Sequence, residues 1–124
     1  MEGKKILVVD DTADLLKSIV QVLAMEGYET MAAVNGHDAV EKVREAVPDL
    51  VITDLLMPVM DGYTLIETLK SNILWQNIPV IVFSAKPEQE SKDKVLALGA
   101  VKFIRKPGSI ETILDTVQEV LAGV

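Results

Sequence analysis

Short β-branched apolar runs alternate along this chain with longer stretches whose apolar residues recur every three or four positions. Lys5-Ile6-Leu7-Val8-Val9 is continuous, as a strand buried on both faces should be. Leu15, Leu16, Ile19, Val20 and Leu23 then follow helical spacing, with Gly27 placed to close the helix. Tyr28 to Val34 predicts a second strand. Ala39, Val40, Val43 and Val47 predict a second helix, stopped by Pro48. Leu50-Val51-Ile52-Thr53 is a third strand, and Tyr63, Ile66, Leu69 and Ile73 mark a third helix after Gly62. Pro79 precedes Val80-Ile81-Val82-Phe83, the most hydrophobic run and so a central strand; a Pro at its first position removes no essential ladder bond. Glu88 to Leu98 predicts a fourth helix with a polar first half, closed by Gly99. Val101 to Ile104 is a short fifth strand. Ile110, Ile113, Leu114, Val117, Val120 and Leu121 form an amphipathic last helix.

Strands that alternate with helices imply parallel pairing, because parallel neighbours need crossover connections, and those are right-handed. The expected fold is therefore α/β, a doubly wound five-stranded parallel sheet with helices on both faces. With 124 residues, no internal repeat and no linker, one domain over residues 1–124 is expected. The last helix runs nearly to the end of the chain, so no second domain is expected.

Composition narrows the functions open to such a fold. No apolar run reaches the roughly 20 residues a spanning helix needs. Met1-Glu2-Gly3-Lys4-Lys5 leads straight into a strand with no signal-peptide pattern, so a cytoplasmic location is expected. The absence of cysteine excludes disulfides, zinc–thiolate sites and a thiol nucleophile. A net charge of -7 and only two Phe, two Tyr and one Trp argue against a nucleic-acid surface.

Ligands of open α/β sheets bind beyond the carboxyl ends of the strands. There the first strand delivers Asp10-Asp11, the third Asp54, the fourth Ser84, and the fifth is followed by Lys106. Singly, Asp10, Asp11 and Thr12 read as helix-capping residues, Ser84 as an ordinary strand end and Lys106 as a solvated cation. Asp61-Gly62 is a turn signal at a helix start. Together they make sense differently. Three crowded carboxylates repel one another, and a divalent cation with oxygen ligands, magnesium above all, resolves that repulsion. Metal, Lys106 and Ser84 would then surround a carboxylate oxygen with positive charge and a donor, as phosphoryl transfer requires. A carboxylate can itself be the covalent acceptor.

Across nearly its whole length the chain resembles the response-regulator receiver family of two-component signalling, the chemotaxis regulators included. The matching residues are Val8-Val9-Asp10-Asp11, the block Asp54-Leu55-Leu56-Met57-Pro58-Val59-Met60-Asp61-Gly62, Phe83-Ser84-Ala85, Gly99-Ala100 and Lys106-Pro107. The resemblance implies a flavodoxin-like sheet in order 2-1-3-4-5. It implies that Asp54 accepts a phosphoryl group from a phosphohistidine of a histidine kinase or histidine phosphotransfer protein. It further implies Mg2+ held by Asp11, Asp54 and the backbone carbonyl of Leu56, with Asp10 acting through water. Lys106 would pair with the phosphoryl group and Ser84 bond one of its oxygens. Phe103 matches the family's aromatic switch position, and as a residue of the fifth strand it also reads as core. Such a domain is a switch that promotes its own phosphorylation, not a turnover enzyme. The face of the fourth helix, fifth strand and last helix, carrying Lys92, Lys94 and Lys102, would be its output surface, with the target unspecified.

Two positions depart from the family pattern. Gly108 stands where a large apolar residue is usual, which puts the packing beneath the last helix in question. Leu56 is apolar where a side chain could otherwise position an attacking water. Lys86, just after Ser84, adds a charge near the rim with no assigned role. A non-phosphorylated pseudo-receiver is the alternative reading, but no acidic or lysine site residue is lost. Enzyme readings on related folds fail on motif: there is no Gly-x-Gly-x-x-Gly, no P-loop and no Asp-x-Asp on the first strand. His37, the one histidine, falls near the start of the second helix and reads as a surface residue.

Overall fold

The computed structural model describes residues 3–86 and 88–123, without the side chains of 88–90. Five strands and five helices alternate: β1 Lys5–Val9, α1 Ala13–Met25, β2 Glu29–Ala33, α2 Gly36–Glu45, β3 Leu50–Thr53, α3 Gly62–Lys70, β4 Val80–Ser84, α4 Glu88–Leu98, β5 Lys102–Arg105 and α5 Ile110–Leu121. All strand pairs are parallel and the order is β2-β1-β3-β4-β5. β4 is an interior strand, as its unbroken apolar run requires.

Strand side chains alternate between two layers. Leu7, Val9, Val51, Val80 and Val82 pack with Ala39, Val43, Leu65, Ile66, Leu69 and Val95 from α2, α3 and α4. Ile6, Val8, Leu50, Ile52, Ile81 and Phe83 pack with Leu16, Ile19, Leu23, Ile113 and Val117 from α1 and α5. Continuous apolar runs are therefore explained by burial on both faces.

The helix stops are local. Gly27 at φ 95 and Gly99 at φ 113 take the left-handed conformation that closes α1 and α4. The starts of α2, α3 and α5 are capped by Asn35, Asp61 and Ser109, each accepting from the backbone N–H three residues on. α1 is different. Its N-cap Thr12 makes no side-chain cap bond; instead Asp10 Oδ1 accepts from Thr12 N at 2.9 Å.

Five expected helix or strand residues fall outside their elements. Val47 lies beyond α2 and is 53% exposed, Ile73 lies beyond α3 and is 81% exposed, and Val101 precedes β5 at 43% exposure. Apolar spacing carried each element one step too far. After α3 the chain instead turns inward at Trp75 and Ile78, and Lys70 Nζ donates to the Gln76 and Ile78 carbonyls at 3.0 and 2.7 Å. Burial lowers the Lys70 pKa. Tyr28 and Val34 likewise flank β2 rather than belong to it.

Candidate active site at the carboxyl edge of the sheet

Strand order reverses between β1 and β3, so the chain leaves these neighbours toward opposite edges and opens a crevice at their carboxyl ends. The ladder continues past each strand: Asp10 N donates to Ala33 O, Asp54 N to Val9 O and Lys106 N to Ser84 O. Side-chain alternation therefore continues as well. Asp10 extends the phase of Ile6 and Val8, Asp54 that of Leu50 and Ile52, and Lys106 that of Ile104. Ser84 extends the opposite phase, that of Val80 and Val82.

This parity explains which groups meet. Lys106 Nζ donates to Asp10 Oδ2 at 2.9 Å and to Asp54 Oδ2 at 3.0 Å. All three side chains are largely buried, the lysine 16% exposed, so this is not a solvated surface pair. Burial by itself would lower the Lys106 pKa; the hydrogen bonds and charges of Asp10 and Asp54 outweigh it and hold the pKa above its ordinary 10.5. Asp54 Oδ1 accepts from Leu55 N at 2.6 Å. Asp11 is exposed beside them, and one carboxylate oxygen from each of Asp10, Asp11 and Asp54 falls within 4.8 Å of the others. Three hard oxygen donors so placed fit a divalent cation such as Mg2+.

The remaining predicted residues sit around this centre. Ser84 is buried, and its Oγ accepts from Lys86 N at 3.3 Å. Phe103 is half-buried against the α2–α4 layer, the side on which Ser84 lies. Leu56 is 56% exposed at the rim. His37 is exposed in the first turn of α2. Lys86, without a role in the sequence, has its Nζ 3.3 Å from Tyr63 Oη, while Lys94 Nζ lies 4.1 Å from the Tyr63 ring centroid. Lys94 thus packs toward α3 and does not simply face outward with α5.

Several residues support the site in ways the sequence does not show. Thr53 Oγ1 donates to the Asp54 carbonyl at 2.8 Å. Gly62 N donates to Leu55 O at 3.0 Å, and a Cβ on Gly62 would lie 2.2 Å from Asp54 O and 2.8 Å from Leu55 Cα. Gly36 is also tight, though less so: its N donates to Met60 O, and a Cβ there would meet that oxygen at 2.8 Å. The loop after Asp54 is thus held at both ends by backbone approaches that only glycine permits. The Asp61-Gly62 pair signalled the turn but not this closeness. At the Gly108 departure, a Cβ would lie 3.2 Å from Phe83 Cε1 and from Arg105 O.

A parallel doubly wound sheet whose edge holds a lysine-bridged carboxylate pair and a third acid defines an acidic-site α/β domain suited to phosphoryl chemistry. Residues 6–118 match the model of the response regulator receiver domain, and the chain belongs to that family. It is 40% identical over 120 residues to the chemotaxis protein CheY of Treponema pallidum, covering 94% of this chain and 82% of that one. It is 36% identical over 121 residues to the sporulation initiation phosphotransferase F of Bacillus subtilis, covering 98% and 96%. The solved chemotaxis response regulator CheY4 of Vibrio cholerae superposes with a TM-score of 0.89 at 30% identity, covering 95% and 98%. Other relatives are longer: the chain spans 53% of the phosphate regulon regulator PhoB of Pseudomonas aeruginosa. Receiver domains are signalling switches that interact with histidine kinases or phosphotransfer proteins and generally bind Mg2+ at an acidic pocket. Among the described residues no helix is long and apolar enough to cross a membrane.

Proposed function

We propose that the protein is a phosphoryl-accepting switch whose acceptor is Asp54. The observation that carries this reading is the Lys106 ammonium bridging Asp10 and Asp54 at 2.9 and 3.0 Å, with Asp11 beside them. A cation on the acceptor carboxylate meets the incoming phosphoryl oxygens with positive charge already in place, with little reorganisation. An oxygen of Asp54 forms the bond to phosphorus as the phosphorus–nitrogen bond of a phosphohistidine on a histidine kinase or phosphotransfer protein breaks. The departing imidazole keeps the electron pair and takes a proton.

Asp11, Asp54 and the backbone carbonyl of Leu56 would hold Mg2+, with Asp10 acting through water. A bound ion there supplies charge neutralisation and orientation of the phosphoryl oxygens. Lys106 exchanges part of its carboxylate pairing for the phosphoryl group, and the Ser84 hydroxyl turns from Lys86 N to bond a phosphoryl oxygen. Because Ser84 shares its side of the sheet with Phe103, that turn opens room for the ring to move inward and changes the α4–β5–α5 face. Incubation with Mg2+ and acetyl phosphate is expected to add one phosphoryl group by mass, and Asp54→Asn to abolish it. An unlabelled wild type, under conditions that label another receiver domain, refutes the reading.

A further inference from the structure

We propose that Phe83 is a positioning residue for Lys106, and that Gly108 lacks a side chain because the ring needs its space. The inference deepens the phosphoryl-accepting reading and rests on it. Phe83 ends the apolar part of β4 on the α1/α5 side, 3% exposed, and pairs in register with Ile104 of β5. Two residues after Ile104, Lys106 returns to the same side and brings its Nζ to 5.4 Å from the Phe83 ring centroid. The ammonium therefore lies within reach of both the ring and the Asp10 and Asp54 oxygens. A cation so placed is attracted by the negative ring face, and the apolar surface limits the directions it can take.

The loop that follows passes close to the ring. A Cβ at Gly108 would lie 3.2 Å from Phe83 Cε1 and 3.2 Å from Arg105 O. Contacts this tight ask the neighbours to give by a few tenths of an ångström, and the ring, as a side chain, can do so more readily than the backbone oxygen. Leu15, Ala85 and Pro107 complete an open hollow of about 380 Å³ beside the ring and the lysine. A displaced ring can move toward this hollow and carry the lysine's packing surface with it. Residues 83 and 108 thus act on the site as one unit.

The test is a labelling series with Mg2+ and acetyl phosphate on the full chain, in four forms: wild type, Phe83→Leu, Gly108→Ala and both together. Phe83→Tyr, which keeps the ring, is the conservative rescue. Phe83→Leu preserves an apolar side chain of similar size and is expected to slow maximal labelling roughly fivefold to tenfold, with Phe83→Tyr near wild type. Gly108→Ala is expected to slow labelling when the ring is present and to have no further effect in the Phe83→Leu background. In NMR spectra the Lys106 side-chain methylenes should lose their ring-current shift in Phe83→Leu and keep it in Phe83→Tyr, a signature that general core loosening does not produce. Wild-type labelling with an unchanged rate in Phe83→Leu overturns this inference alone, as does a Gly108→Ala effect of equal size in both backgrounds. Absence of wild-type labelling overturns the phosphoryl-accepting reading, and this inference with it.

Discussion

Gly62→Ala isolates how closely the loop after Asp54 is built. On an ordinary helix the change favours folding, since Ala exceeds Gly by about 1 kcal/mol in helix propensity. At this position the new Cβ would lie 2.2 Å from the Asp54 carbonyl oxygen and 2.8 Å from Leu55 Cα, neither of them a flexible side-chain end. Ordinary contact begins near 3.4 Å, so helix and loop must separate by roughly 1 Å. Overpacking of this kind costs about 1–3 kcal/mol, and loss of the Gly62 N to Leu55 O bond adds about 1 kcal/mol. Set against the propensity gain, the net expectation is about 2 kcal/mol of destabilisation, a Tm lower by roughly 6–10 °C for a domain of this size. The displacement also moves the backbone that carries Asp54, the proposed acceptor, and a 1 Å misplacement of a reacting group costs on the order of a hundredfold in rate. Thermal unfolding followed by circular dichroism and labelling with acetyl phosphate read the two effects separately. A variant that melts at or above wild type and is labelled at the wild-type rate refutes the close-approach argument.

Three further outcomes follow from other positions. Val59 holds φ 70 on an 83% exposed side chain, a left-handed conformation that penalises β-branched residues by about 1–2 kcal/mol; Val59→Asn should therefore raise Tm, and a fall would contradict the strain. Leu56→Asn offers a polar group that can orient an attacking water and is expected to shorten the phosphoryl lifetime roughly tenfold, measured as loss of label after removal of the donor; an unchanged lifetime removes Leu56 from that role. Mg2+ at a hundred times its dissociation constant should stabilise the fold by about 2.7 kcal/mol, reversibly with chelator, and Asp11→Asn should remove most of that gain in a thermal-shift titration.

The alternation of apolar runs showed the sheet, the helices and the rim where Asp10, Asp11, Asp54, Ser84 and Lys106 gather, because strand ends are marked locally by where the Val and Ile residues stop. Strand order came from the family resemblance and not from periodicity. The ends of α2 and α3 were less legible: Val47 and Ile73 keep helical spacing but lie exposed beyond their helices, and no local rule separates them from core. The Lys106 bridge was hidden for a different reason. Its partners lie 96 and 52 residues away, and one at a time the residues favour a cap and a solvated cation. Gly62 and Gly36 look like ordinary helix-start glycines until the backbone they approach is placed beside them. Gly108 looked like a missing side chain, and only the packing shows how near the Phe83 ring comes to it.

The alternation of the strands also divides labour. Asp10, Asp54 and Lys106 belong to the side packed by α1 and α5, whereas Ser84 and Phe103 belong to the side packed by α2, α3 and α4. On the proposed mechanism the sheet is a partition between a chemical compartment and a mechanical one, and a single hydroxyl rotation on β4 passes the message through it. Lineages of such a domain can then diversify what α4, on the Ser84 side, presents to its targets while the acid–lysine chemistry behind the partition stays as it is. They can equally tune the chemistry, as proposed for Phe83 and Gly108, without rewriting α4.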